Sequence, residues 1–139
     1  MILVVEDHAD TRAAHLRLLS MEGYEGVPAG CGQEALALLR YVQPRLVILD
    51  CALSDGGLDI LRAIRSDRRL DRTRVIMFCA NDGGSQRHEA RAIGVDAYVL
   101  KGTLDWLQLA AEIHRLAGPP RRTRCVPGSR RTGSAPASI

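Results

Sequence analysis

Three acids and one lysine carry the chemistry this sequence offers. Glu6 and Asp7 close the apolar run Met1-Ile-Leu-Val-Val5, Asp50 closes Leu46-Val-Ile-Leu49, and Lys101 follows Val95 to Leu100. A short run of apolar residues reads as a strand buried on both faces, and a carboxylate at its end is costly unless something there requires it. If the three acids meet, they repel one another and take up a proton or a cation. A hard divalent cation such as Mg2+ answers that need, because it takes oxygen ligands and keeps several waters. It would leave room for an anionic phosphoryl group, with Lys101 as a second positive charge. The lysine also stands out by type: of 19 basic residues it is the one that is not arginine. A slim ammonium fits where a planar guanidinium fork does not.

The elements that would position these residues follow from the hydrophobic pattern. Met1 to Val5 reads as a strand and residues 9–22 as a helix, with Asp10 or Asp7 as its cap and Ala14, Leu16, Leu18 and Leu19 as its apolar face. Tyr24 to Ala29 is a weak strand, and residues 32–39 form a helix with Ala35, Leu36 and Leu39 on one side. RLVILD is the third strand, and Ser54-Asp-Gly-Gly57 leads into a helix that turns Ile60, Leu61 and Ile64 inward. Arg74 to Cys79 is a fourth strand. Asn81-Asp-Gly-Gly84 opens a helix through Ile93 with a thin apolar stripe. Val95 to Leu100 is the last strand, and residues 103–117 the last helix, with Leu107, Ala110, Ile113 and Ala117 facing in. Five β-α units with continuously apolar strands mean an α/β fold, a parallel sheet with helices on both faces. Right-handed crossovers then bring all the strand ends, and so the three acids, Cys79 and Lys101, to one edge.

The chain of 139 residues is long enough for one domain with a real core, and at 4% aromatic that core is mostly aliphatic. No run approaches the roughly 18 apolar residues of a membrane span, and no signal-peptide pattern is present. A cytoplasmic location without a membrane partner is therefore expected. The net charge of +3 is uneven: residues 121–139 hold five arginines and no acid, leaving 14 basic against 16 acidic residues before them. Residues 1–118 are expected to form the domain and 119–139 a basic, disordered tail, starting at Pro119-Pro120. The four cysteines show no metal-ligand rhythm. Cys51 and Cys79, at the ends of adjacent strands, are expected as two reduced thiols rather than a redox pair, and Cys125 as an exposed thiol.

Residues 1–118 resemble the receiver domain of bacterial two-component response regulators. The residues that carry the likeness are VVEDHADTR, VILD, VIMFCA and GVDAYVLK. The resemblance implies a flavodoxin-like (βα)5 three-layer sandwich, with a five-stranded parallel sheet in the order 2-1-3-4-5. It implies a signalling domain rather than an enzyme, one that accepts a phosphoryl group from a histidine kinase or phosphotransfer protein with Mg2+ bound. Asp50 would be the phosphoacceptor. Glu6, Asp7, Asp50 and the Ala52 backbone carbonyl would hold the metal. Lys101 and Cys79 would contact the phosphoryl group, and Cys79 and Tyr98 would form the switch. Output would pass to a downstream protein, or to a second copy, through the face of residues 85–117, where Trp106 could take part.

Three positions depart from the family pattern. Cys79 stands where Thr or Ser is usual, and a thiol is a weak donor. Gly102 replaces the proline that commonly follows the lysine in a cis bond, so a trans bond and a shifted Lys101 loop are expected. The loop after Asp50 has Ser54 in place of proline and is one residue shorter. These departures support an alternative, a degenerate receiver acting as a phosphorylation-independent protein-binding module. An Mg2+-dependent phosphatase is disfavoured, because such enzymes place a second acid two residues after the nucleophile and Ala52 stands there. The nineteen residues from 121 on supply no effector domain, so a single-domain regulator is expected. The tail arginines read as a solvated linker rather than a nucleic-acid contact.

Overall fold

The computed structural model describes residues 1–80, 84–101 and 105–120. The strands are β1 (Ile2–Val5), β2 (Gly26–Ala29), β3 (Leu46–Asp50), β4 (Arg74–Cys79) and β5 (Ala97–Leu100), and the helices are α1 (Ala9–Met21), α2 (Gly32–Leu39), α3 (Gly57–Ser66), α4 (Gly84–Ile93) and α5 (Asp105–Ala117). All strand pairs are parallel and the sheet order is 2-1-3-4-5. The expected α/β sandwich is therefore present. The expectations for residues 81–83, for 102–104 with Gly102, and for the tail beyond 120 with Cys125 fall outside the described residues.

Strand alternation splits the core in two. Leu3, Val5, Val47, Leu49, Val75 and Met77 face α2, α3 and α4, which contribute Ala35, Leu39, Ile60, Leu61, Ile64 and Ala90. Ile2, Val4, Leu46, Ile48, Ile76 and Phe78 face α1 and α5, which contribute Leu19, Leu109, Ile113 and Ala117. Each fully buried Leu or Ile contributes roughly 1.5–3 kcal/mol relative to an exposed one. β2 lies at an edge, where Pro28 lacks a ladder N–H without harm.

Two helix faces differ from the sequence expectation. In α5, Leu107 is 73% exposed, and the buried positions are Leu109, Ile113 and Ala117, spaced four residues apart. In α1 the buried positions are His15 and Leu19, with Leu16 and Leu18 only partly covered. The His15 ring meets Phe78 edge-on at a centroid distance of 4.9 Å and Trp106 at 5.3 Å. An imidazole thus fills an aromatic position between sheet and α5, which a hydropathy count does not foresee. Through this contact Trp106 packs on α1. The cap also differs: the α1 cap residue is His8, without a side-chain cap bond, and its N–H donates to Glu6 Oε2.

The glycines after β3 have a structural task. Gly56 has φ +88° and precedes α3, and Gly57 is buried where an added Cβ would lie 2.8 Å from the Asp50 carbonyl oxygen. Gly57 thereby lets α3 start directly against the chain end that carries Asp50. Asp55, in the same loop, accepts the N–H groups of Gly32 (3.0 Å) and Gln33 (2.9 Å), capping α2 from outside that helix. Its carboxyl is held below the usual carboxylate range, chiefly by the Gly32 bond.

Gly57→Ala must move backbone rather than a side-chain tip, so it is expected to destabilise the fold by about 1–3 kcal/mol, measured by urea denaturation. An unchanged midpoint would refute the close approach. Asp55→Ala is expected to cost about 1 kcal/mol, as for loss of a helix cap. Because the folded-state pKa of Asp55 is lowered, that contribution is present above the unfolded value and fades as pH falls below it. Equal losses at neutral pH and at low pH would contradict the capping role.

Candidate functional site

Parallel pairing fixes the site before any side chain is considered. Glu6 follows β1, Asp50 ends β3, Cys79 ends β4 and Lys101 follows β5, so all four lie at the C-terminal edge of the sheet. The chain ends are tied together there: Glu6 N–H donates to Ala29 O at 3.0 Å, Cys51 N–H to Phe78 O at 3.2 Å, and Lys101 N–H to Cys79 O at 2.6 Å. The Arg12 guanidinium holds the Glu6 carbonyl oxygen at 2.8 Å.

Among the described residues, Glu6, Asp7 and Asp50 each offer a carboxylate oxygen, all within 4.8 Å of one another. Glu6 and Asp50 are buried, at 2% and 3% exposure, while Asp7 is exposed. Lys101 Nζ donates to Asp50 Oδ1 at 3.2 Å and stands 3.9 Å from Glu6 Oε1. It also lies 5.4 Å from the Phe78 ring centroid, so that ring floors the ammonium. At an effective dielectric of about 20, an ion pair at about 4 Å is worth roughly 4 kcal/mol before desolvation, and desolvation takes back several kcal/mol per ion. One ammonium therefore cannot compensate three carboxylates.

The imbalance appears in Glu6. Burial and the Asp50 carboxylate beside it outweigh the His8 N–H and Lys101, and the carboxyl is pushed up to about 7. Glu6 Oε1 is a buried oxygen with no hydrogen-bond partner. An unpartnered buried oxygen inside an all-oxygen cluster fits a hard divalent cation. Ala52 is exposed, and its N–H donates to Asp50 Oδ1 at 3.2 Å, so the contact seen for this residue is through its amide rather than its carbonyl.

Cys51 and Cys79 are joined in a disulfide, with Cα atoms 5.1 Å apart. This corrects the expectation of two reduced thiols. The physical reason is register: Asp50 and Phe78 are Cα partners, so the next residues along β3 and β4 stand side by side. A Cα separation of about 4.4–6.8 Å is the range a disulfide spans. While the bond is intact, Cys79 has no thiol proton to donate. Tyr98 pairs with Met77, packs half-buried against the α2/α3/α4 side of the core, and carries the Arg87 guanidinium 5.4 Å from its ring centroid. Among the described residues of α4 only Ala90 is buried, as the thin stripe predicts.

Comparison with known proteins agrees with this arrangement. The family model for the response regulator receiver domain matches residues 2–113. The probable transcriptional regulator ycf27 of Cyanophora paradoxa is 34% identical over 101 residues, covering 72% of this chain and 41% of that protein. The probable transcriptional regulatory protein TcrX of Mycobacterium tuberculosis is also 34% identical, covering 72% and 42%. This chain thus spans less than half the length of the curated relatives it matches. Among solved structures, the chemotaxis response regulator CheY4 of Vibrio cholerae superposes with a TM-score of 0.76 at 23% identity, covering 83% of this chain and 96% of that one. The receiver domain of sensor histidine kinase PA1611 from Pseudomonas aeruginosa, described with a magnesium ion coordinated in its active-site cleft, gives 0.75 at 24%, covering 84% and 96%. The chain belongs to the response regulator receiver domain family of two-component systems.

The raised Glu6 carboxyl has a signed consequence. Below about pH 4.5 it is protonated in both folded and unfolded chains. Between about 4.5 and about 7 the folded chain keeps a proton that the unfolded chain has released, so stability falls as pH rises through that window. In the presence of a chelator, Glu6→Gln is expected to lose this slope and to exceed the wild type in stability at neutral pH. Denaturation midpoints across the window that run parallel in the two proteins would contradict it.

Proposed function

We propose that this chain is a phosphoacceptor, taking a phosphoryl group onto Asp50 from a histidine kinase or phosphotransfer protein. The observation that carries this reading is the placement of Lys101 Nζ 3.2 Å from Asp50 Oδ1 beside two further acids. In the transfer, an Asp50 carboxylate oxygen attacks phosphorus while the bond from phosphorus to the donor breaks, leaving an acyl phosphate. The nucleophile is already ionised, so no general base is needed. Lys101 neutralises oxygen charge: its ammonium, now on Asp50 Oδ1, is positioned to follow the charge onto a phosphoryl oxygen.

Glu6, Asp7 and Asp50, with the Ala52 carbonyl, would hold Mg2+, which when bound supplies neutralisation of phosphoryl oxygens. The orphaned Glu6 oxygen and the magnesium-bearing PA1611 receiver support that choice of ion. Cys79 and Tyr98 are read as the switch, Cys79 touching the phosphoryl group in its reduced form. The surface of α4, β5 and α5 is the output face for a downstream protein or a second copy. No described helix is long and apolar enough to cross a membrane, and a cytoplasmic site of action fits the signalling role. The chain acts on itself rather than on a separate substrate. Intact Glu6, Asp7, Asp50 and Lys101 favour this over a degenerate binding module.

Incubation of the reduced chain with Mg2+ and acetyl phosphate is expected to add one phosphoryl group by intact mass. The adduct should vanish in Asp50→Ala and fall sharply with chelator. An adduct that persists in Asp50→Ala, or none in the wild type, would overturn the assignment.

A further inference from the structure

The disulfide sits at the one place in the fold where it touches both halves of the phosphoacceptor edge. Cys51 is bonded through its peptide to Asp50, and the Cys79 carbonyl accepts the Lys101 N–H at 2.6 Å. A covalent link between these two residues therefore ties the chain carrying the nucleophile to the chain carrying the ammonium. The two sulfurs differ in access: Cys79 is 1% exposed within the α2/α3/α4 core, whereas Cys51 is only partly covered. Cys31, the free cysteine among the described residues, lies at the start of α2, where its Sγ accepts the Glu34 N–H.

We propose that Cys51 and Cys79 form a reversible thiol–disulfide site, oxidised by peroxides and reduced by small thiols, that sets how readily Asp50 is phosphorylated. The inference rests on the phosphoacceptor reading of Asp50. In the oxidative direction the Cys51 thiol gives up its proton and its sulfur attacks an oxygen of hydrogen peroxide; the O–O bond breaks, Cys51 becomes a sulfenic acid, and the departing hydroxide takes the thiol proton and leaves as water. The Cys79 thiol then attacks that sulfur, the S–O bond breaks, and a second water leaves with the Cys79 proton. The peroxide is reduced by two electrons and the cysteine pair is oxidised by two. In the reverse direction two molecules of a small thiol give their protons to the cysteines and leave as their own disulfide.

Two effects follow from the bond, and both act in the same direction. It removes the S–H that Cys79 would donate to a bound phosphoryl group. It also fixes the Cys79 chain end against Cys51, so the backbone that carries Lys101 cannot follow the charge as it moves from Asp50 to the phosphoryl oxygens. The reduced protein is the receptive form and the oxidised protein the refractory one. Loss of one modest hydrogen bond alone corresponds to about a fivefold change.

The test uses the full chain, treated with excess dithiothreitol or with hydrogen peroxide and then desalted. Alkylation mass is expected to show a pair of thiols fewer after peroxide, with a peptide linking residues 51 and 79. Acetyl phosphate with Mg2+ should then phosphorylate the oxidised protein about fivefold more slowly than the reduced one. Cys51→Ala should be phosphorylated at the reduced wild-type rate before and after peroxide. Full alkylation of both cysteines after peroxide overturns the proposal, as do equal rates in linked and unlinked protein. An adduct missing even from the reduced protein counts instead against the phosphoacceptor reading, and the 51–79 peptide still decides the redox site by itself.

Discussion

Too many carboxylates share too little solvent at one sheet edge, and the rest of the site is arranged around that fact. Glu6 and Asp50 are buried, Asp7 adds a third acid within reach, and a single ammonium answers them. Left alone, the cluster resolves its repulsion by holding a proton on Glu6, which is why that carboxyl is pushed up to about 7. A structure built only for stability would place apolar residues there, since buried ion pairs seldom repay their desolvation. An excess of negative charge, with an oxygen that nothing donates to, is instead a cluster that could hold a cation.

The fold holds this unfavourable arrangement with ordinary contacts. Parallel ladders bring four strand ends together, and two apolar layers lock the sheet between helices. Near Asp50 the tolerances are tight: α3 begins against the Asp50 carbonyl only because Gly57 lacks a side chain, and Asp55 anchors the same loop to α2. At the far edge Arg65 donates to the carbonyls of Gly94 and Thr73 and to Asp96, binding α3 to the segments around β4 and β5. By contrast α4, beside the site, buries only Ala90 among its described residues, so few apolar contacts hold it.

Much of this was legible in the sequence, for identifiable reasons. Continuous apolar runs marked the buried strands, and the topology of β-α repeats alone placed Glu6, Asp50 and Lys101 at one edge. Helix faces were harder where a polar residue plays an apolar part. His15 escapes a hydropathy pattern because its ring works as an aromatic spacer between Phe78 and Trp106. Leu107 was assigned inward by type, whereas the four-residue spacing of Leu109, Ile113 and Ala117 was the better signal. Asp55 capping α2 is a contact between separate segments, which no local pattern displays. A reducing compartment argues for free thiols at Cys51 and Cys79, but the register of β3 with β4 sets the two residues side by side, a pairing no local pattern displays.

On the proposed reading, a proton and a divalent cation compete for the same crowded acids. Calorimetric titration of Mg2+ into the chain at about pH 6, repeated in two buffers of different ionisation enthalpy, counts the protons released on binding. The account predicts release of most of one proton in the wild type and almost none in Glu6→Gln. Binding without proton release in the wild type, or no binding at all, would contradict it.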